Sequence, residues 1–272
     1  MDTIFVAVIS VTVIGVVCAA LLCIASKFMN VKIDPRVEKL LACMPGVNCG
    51  VCGYPGCSGY AEALVSDEGV NSNLCTPGGP AVVEQIAAIL GVEAGNIECK
   101  IAVVHCGGDR KTHLKKMDYK GVLSCEAAKR LFGGENTCAF GCLGYADCQK
   151  VCPNDAVCMR DGLARIVTRF CNGCGLCVSA CPNNLISIEN AASSVFVLCN
   201  SNEKGAIVRK KCVSGCIGCG KCVRECPAQA ITIKDNLAVI DYDKCRVDKT
   251  SQACGRCVEV CVIKCIQPDC RQ

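Results

Sequence analysis

The chain has no tryptophan, only two histidines, and just 11 aromatic residues (6 Phe and 5 Tyr) among 272 positions. That argues against a histidine-based hydrolase and against a large aromatic-lined pocket. It has no run of five or more like charges, and a formal net charge of +4 gives no case for nucleic acid. Oily mass is scarce as well. The 51% hydrophobic share counts cysteine, of which there are 31. With those and one N-terminal apolar stretch set aside, too little remains to fold around an apolar core. The length allows one to three small domains of roughly 100–200 residues or less. Cysteine at more than one position in nine leaves two organising chemistries, a disulfide scaffold or bound metal.

The apolar stretch runs from Thr3 to Ser26 without a charge. That length spans a bilayer as a helix with some tilt. A cleaved signal would carry basic residues ahead of the apolar run, where this chain has Asp2 and no Lys or Arg. A lipoprotein signal needs a small residue before the modified cysteine, whereas Cys18 follows Val17 and Cys23 follows Leu22. The basic residues Lys27, Lys32, Arg36 and Lys39 all follow the helix. They predict a permanent anchor in the cell membrane, single-pass, with the body on the cytoplasmic side. That compartment is reducing, which excludes disulfides and leaves metal.

Asp34-Pro35 reads as a helix N-cap and first turn, with Val37, Leu40 and Leu41 on one face. Cys49, Cys52 and Cys57 follow with spacing C-x2-C-x4-C, and Cys75 comes later. Glycines at 50, 53 and 56 let the backbone curl around a metal centre. Ser58 is placed to cap a helix bearing Tyr60 and Leu64, and Pro80 to Leu90 reads as another helix, stopped by Gly91. Four-cysteine zinc is the alternative, but zinc favours two paired C-x2-C knuckles, and here the last cysteine stands alone.

The run NCGVCGYPGCSGYAEAL, with CTPGGPAVVEQIAAILGVEA after it, resembles the four-iron–four-sulfur domain of the B subunit of Rnf-type ion-translocating ferredoxin:NAD oxidoreductases. A related domain occurs in the large subunit of corrinoid iron–sulfur proteins. The resemblance takes in the anchor before it and the ferredoxin motifs after it, nearly the whole chain. It implies a membrane-bound electron-transfer subunit, part of a redox-driven ion translocase. The implied partners are reduced soluble ferredoxin, the other subunits of the complex and the membrane, with no nucleic acid.

Residues 171–182, CNGCGLCVSACP, form the bacterial ferredoxin motif C-x2-C-x2-C-x3-C-P. A partner motif lies upstream at Cys142, Cys148 and Cys152-Pro153, with Tyr145 in its second ligand slot. The pair recurs. Cys138, Cys142, Cys148, Cys152 and Cys171 return at one constant offset as Cys212, Cys216, Cys222, Cys226 and Cys245. Six extra residues within 246–253 then lengthen the offset, and Cys174, Cys177 and Cys181 return as Cys254, Cys257 and Cys261. Two copies of one two-cluster module follow. LARIVT and LAVIDYD read as short strands, as do the segments after each Cys-Pro turn, NNLISIE and AQAITIK.

In such modules the fourth cysteine of each motif crosses to the other cluster. Five sites are thus expected. Site I is Cys49, Cys52, Cys57 and Cys75. Site II is Cys152, Cys171, Cys174 and Cys177. Site III is Cys142, Cys148 and Cys181 with a fourth ligand in question. Site IV is Cys216, Cys219, Cys222 and Cys261. Site V is Cys226, Cys245, Cys254 and Cys257. Cys138 fills the slot emptied by Tyr145, or site III holds a three-iron cluster; the recurrence of Cys138 as Cys212 favours the first. Cys212 then stands beside a motif already completed by Cys219, so one of those two is spare or Cys212 displaces Cys219. A sixth cluster from Cys99, Cys106, Cys125 and Cys138 stays open. Five oxidised clusters at about −2 each would turn the formal charge to about −6.

Residues 100–130 carry an excess of +5, including Lys111, Lys115, Lys116 and Lys120. This segment reads as a docking patch for an acidic electron carrier or an anionic membrane, or as an ordinary solvated linker. His105 and His113 read as surface or satisfied residues. No G-x-G-x-x-G lies between a strand and a helix, and no flavin site is evident.

The expected architecture is α+β. It comprises an anchor (1–27), a small, mainly helical 4Fe-4S domain (34–98), a basic connecting segment (99–132) and two ferredoxin-like modules (133–192 and 205–268). Two rival functions remain: a polyferredoxin serving another membrane redox complex or a corrinoid-dependent system, and a zinc-binding structural or regulatory protein.

Overall fold

The computed structural model describes residues 2–28, 34–67, 69–108, 114–193, 195–245 and 254–268. Lys32, Arg110, Lys111, His113, Cys270 and the six-residue insertion within 246–253 lie outside the described residues.

Helix α1 (Asp2–Phe28) is apolar on every side from Ile4 to Ala25. Its stretch Ile4–Ala25 has a mean hydropathy of 2.9 and none of it is buried against the rest of the chain. Its 22 residues rise about 33 Å at 1.5 Å each, enough for a hydrocarbon core. Among the described residues it is the one helix long and apolar enough to cross a membrane.

Helices α2 (Pro35–Cys43), α3 (Gly56–Ser66) and α4 (Gly79–Leu90) build the first domain. Asp34 caps α2 as its sequence predicts, its Oδ1 accepting from the Arg36 N–H at 2.8 Å. α3 begins two residues before Ser58. Its capping acceptor comes from elsewhere: Asn48 Oδ1 takes the Cys57 N–H at 2.8 Å. α4 stops at Gly91, which is left-handed at φ 71°. Leu40, Tyr60, Val83 and Ile86 are wholly buried between the three helices, and the Tyr60 hydroxyl donates to the Asn71 carbonyl at 2.7 Å.

The rest of the chain is two modules of short helices and two-stranded antiparallel sheets. In the first, β1 (Lys100–Val104), α5 (Cys125–Arg130) and α6 (Asp147–Lys150) precede the hairpin β2 (Val157–Arg160) and β3 (Leu163–Ile166). Helix α7 (Leu176–Ala180) and β4 (Ile186–Asn190) follow. The second runs β5 (Val195–Val197), α8 (Gly205–Lys211), α9 (Lys221–Arg224), the hairpin β6 (Ile231–Lys234) and β7 (Leu237–Ile240), α10 (Arg256–Val260) and β8 (Ile266–Pro268). The four strands read from sequence are β3, β4, β6 and β7.

Two strands lie outside the expected module ranges. Within the expected connecting segment 99–132, β1 pairs with β4 from Lys100↔Asn190 to Val104↔Ile186. Likewise β5, in the gap left between the modules, pairs with β8 from Val195↔Pro268 to Val197↔Ile266. Both strands are almost entirely buried, so each apolar run needs a partner strand and a covering layer. Part of that layer is the other module: Ile101 and Val103 of β1 pack with Phe196 of β5. His105 fastens the junction, its Nδ1 at 2.8 Å from the Val197 carbonyl and its Nε2 at 2.7 Å from Ser187 Oγ.

The repeat is visible at atomic detail. A Cβ on Gly144 would stand 2.6 Å from the Gly162 carbonyl, and one on Gly218 would stand 2.7 Å from the Asn236 carbonyl. Both glycines have positive φ, and the two pairs are related by the same offset that carries Cys138 onto Cys212. The loop of each first motif thus lies directly on the turn of its own hairpin.

Candidate metal centres

Site I is assembled around Cys75, which lies among Cys49, Cys52 and Cys57. The loop between α2 and α3 turns through positive φ at Asn48, Gly50, Gly53 and Gly56. Asn48 tolerates that conformation and uses its amide oxygen on the Cys57 N–H, fixing the start of α3 beside the sulfurs. Burial pushes the Cys75 thiol up, and the three neighbouring thiols add to it.

Sites II and V have the same construction. Cys177 stands with Cys171, Cys174 and Cys152. Cys257 stands with Cys245, Cys254 and Cys226. The Ala156 N–H donates to Cys152 Sγ at 3.3 Å, and its counterpart Ala230 donates to Cys226 Sγ at 3.3 Å. Strand β1 adds a donor to site II, from the Ala102 N–H to Cys171 Sγ at 3.3 Å.

Site III corrects the sequence expectation. Cys125, not Cys138, joins Cys142, Cys148 and Cys181, and all four line one pocket with Leu143 and Leu185. Cys125 is the first residue of α5 and takes the place left by Tyr145, whose backbone N–H, with that of Asp147, points at the Cys125 sulfur. The Tyr145 ring turns away to pack edge-on against Tyr119, with centroids 5.5 Å apart. Burial pushes Cys148 up to about 12, with Cys142, Cys125 and Cys181 contributing.

Cys216, Cys219, Cys222 and Cys261 of site IV lie together. A fifth cysteine is close by. Cys265, buried, lies 3.6 Å from Cys261 and hydrogen-bonds Cys216 as well. Its thiol lowers both neighbours and is itself raised.

Cys138 lies instead with Cys106, Cys199 and Cys212 in a pocket between the modules. The open set Cys99, Cys106, Cys125 and Cys138 is therefore divided three ways, with Cys99 exposed ahead of β1. Cys219 and Cys212 are both placed, in different pockets. Cys199 stands one repeat offset after Cys125, yet the fold gives the two different positions, Cys125 at the start of α5 and Cys199 two residues after β5.

Among the described residues, three lysines of the basic segment are engaged within the fold. Lys115 pairs with Glu135 at 3.1 Å, and Lys116 donates to the Phe132 carbonyl at 2.6 Å. Lys129 donates to the Ala139 carbonyl at 3.3 Å, and Arg130 pairs with Glu126 on its own helix. His105 is satisfied on both ring nitrogens.

The donor chemistry fits iron–sulfur clusters. Each of the five sites offers four thiols and backbone N–H donors, the mixture that holds and tunes such clusters. Among the described residues, no three or more His, Cys, Asp or Glu side chains are gathered closely enough to hold a single metal ion. A zinc at 2.3 Å from four sulfurs would need them about 3.8 Å apart.

Four iron–sulfur family models match the chain. An Fe-S cluster family matches residues 44–77, and an LdpA Fe-S cluster-binding domain matches 138–192. 4Fe-4S dicluster domains match 170–231 and 215–265. The chain is 40% identical to the B subunit of the Na(+)-translocating ferredoxin:NAD(+) oxidoreductase complex of Acetobacterium woodii, over 94% of this chain and 75% of that one. It is 42% identical to the B subunit of the proton-translocating ferredoxin:NAD(+) oxidoreductase complex of Clostridium ljungdahlii, over 97% and 91%. With the B subunit of the ion-translocating oxidoreductase complex of Methanosarcina acetivorans the figures are 38%, over 93% and 94%. The chain belongs to the family of these B subunits. Within the family frame, the dicluster match at 170–231 joins the second motif of one module to the first of the next. The fold pairs them otherwise, since Cys152 stands with Cys171 and Cys181 with Cys142.

Proposed function

We propose that this B-family chain is the electron-entry subunit of an ion-translocating ferredoxin:NAD oxidoreductase, a redox-driven translocase that exports Na+ or H+. It takes electrons from reduced soluble ferredoxin and hands them to the other subunits. Helix α1 anchors it by a single pass, with the body on the cytoplasmic side, as the basic residues after the helix favour. Bound 4Fe-4S clusters at sites I to V supply one-electron chemistry. The chain holds each by four thiolates, with Cys125 in site III, and surrounds the sulfurs with N–H donors and buried apolar side chains.

The observation that carries this reading is the serial placement of the sites. Cys174 of site II lies close enough to Cys49 of site I to feel its charge, and Val51 of the first domain comes up to Gly175. Cys148 of site III is similarly coupled to Cys177 of site II. A store of separate structural metals has no need of such neighbours, whereas a relay does.

The test is anaerobic purification of the complex followed by titration with reduced ferredoxin. The expected result is iron matched by acid-labile sulfide, with ferredoxin reducing the clusters of this chain. Iron-free protein with zinc would overturn the cluster reading. A full cluster content that ferredoxin fails to reduce, while dithionite succeeds, would overturn ferredoxin as donor.

A further inference from the structure

Four cysteines outside sites I to V meet where the two modules join. Cys106 and Cys138 come from the first module and Cys199 and Cys212 from the second, and all four line one pocket. Cys106 follows β1 by two residues, and Cys199 follows β5 by two. The strands are equivalent: the His105 N–H donates to the Leu185 carbonyl and the Leu198 N–H to the Cys265 carbonyl, each at 2.7 Å. Leu185 and Cys265 each lie four residues after the last ligand of their module, Cys181 and Cys261. Cys138 and Cys212 each lie four residues before the first motif cysteine, Cys142 and Cys216. The pocket is thus lined twice over by the same two structural positions.

The sulfurs are also prepared as ligands. Cys106 Sγ accepts from the Cys142 N–H at 3.5 Å and from Gly108; Cys199 accepts from the Cys216 N–H and from Ser201. These are again equivalent donors in the two repeats. Cys138 accepts from Phe140 and Gly141. The Lys211–Glu203 ion pair lines the same pocket.

We propose that Cys106, Cys138, Cys199 and Cys212 bind a sixth four-iron–four-sulfur cluster at the module junction. A cubane offers four equivalent iron corners, which suits two pairs of ligands related by an internal repeat. These four residues are all described and are not drawn tightly enough for a single ion, which argues against zinc here. The position matters, because Cys106 is bonded to the backbone of a site III ligand and Cys199 to that of a site IV ligand. The junction site therefore closes the gap between the modules and makes the series I, II, III, junction, IV, V continuous.

This inference rests on the iron–sulfur reading of the other five sites, and the test separates the two. Full-length chain in its complex, purified anaerobically, is assayed for iron, sulfide and zinc and by electron paramagnetic resonance. The wild type is expected to hold about 24 Fe per copy of this chain, and Cys138→Ala/Cys212→Ala about four fewer. Cys199→Ala alone should give a three-iron signal in the oxidised protein, and the control Cys158→Ala should give none. About 20 Fe in the wild type, unchanged in these variants, overturns the junction cluster and leaves the five-site reading standing. One zinc per chain, lost in the double variant, also overturns it. Iron absent altogether refutes the five-site reading as well. Should the double variant fail to fold, the wild-type stoichiometry and the Cys199→Ala spectrum still decide.

Discussion

Cys125 reaches site III because the second slot of the motif surrendered its sulfur without surrendering its backbone. The Tyr145 N–H still points into the site, and a sulfur entering from α5 accepts it. Substituting Cys125→Ala should therefore remove one iron and produce a three-iron signal in the oxidised protein, leaving the spectra of sites I, II, IV and V unchanged. Cys138→Ala should leave site III a four-iron cluster. The reverse pattern, with Cys138 controlling site III, would refute the assignment. For sites I, II, IV and V three ligands each lie in a short motif whose spacing suits a loop wrapping one cluster, and the crossing rule of two-cluster modules supplies the fourth at sites II, IV and V. The fourth ligand of site III was left undecided because Cys125 stands well ahead of Cys142, beyond the reach of that loop, and arrives through tertiary packing. No spacing rule encodes such a ligand.

An element as short as α5 cannot hold a ligand in place by its own helicity. It is pinned from outside. Asp147, at the start of α6, accepts from Ser124 Oγ at 2.8 Å and from the Glu126 N–H at 3.2 Å, and it pairs with Lys150 at 3.2 Å. Against the upward pull of burial, these bonds hold its carboxyl below the usual carboxylate range. The helix's own cap, Ser124 Oγ to the Ala127 N–H, is long at 3.5 Å, so the carboxylate is the main tether. Hydrogen bonds to a charged group are worth about 1.5–3 kcal/mol, and partial exposure puts Asp147→Ala at the lower end of that range. The expected phenotype is local: site III degrades to its three-iron form on mild oxidation faster than in the wild type, at equal total iron when fresh. Equal oxidation kinetics would mean that α5 is held by its packing with Tyr119 and Leu143 alone. Strands were legible as apolar runs that follow a Cys-Pro turn, β4 and β6, or that lead into the next cluster loop, β3 and β7. β1 and β5 have no Cys-Pro turn ahead of them to mark them, and they reach their places only by pairing with remote strands, Val104 of β1 with Ile186 of β4 and Val197 of β5 with Ile266 of β8.

At the scale of the molecule, the domains differ in what holds them together. The core of the first domain is apolar in the ordinary way: of its eight buried residues, Val37, Leu40, Met44, Tyr60, Ala61, Leu64 and Ile86 are not cysteine. In the second module, four of the ten buried core residues are cysteines, and in the first module four of eleven. Burial raises thiols such as Cys148, Cys222 and Cys257, so binding iron must displace their protons and contributes directly to folding. Removing iron should then act unevenly. After anaerobic chelation, amide exchange should accelerate by orders of magnitude across β2 to β4 and β6 to β8, where little apolar surface remains to oppose opening. Helices α2 and α4 should keep most of their protection, because Leu40, Val83 and Ile86 stay buried without help from a sulfur. The loop carrying Cys49 to Cys57 should open with the modules. Uniform loss of protection through all three regions would show that the first domain also depends on its cluster for its fold. Unchanged protection in the modules would show that their apolar residues suffice, against the composition that first pointed to metal.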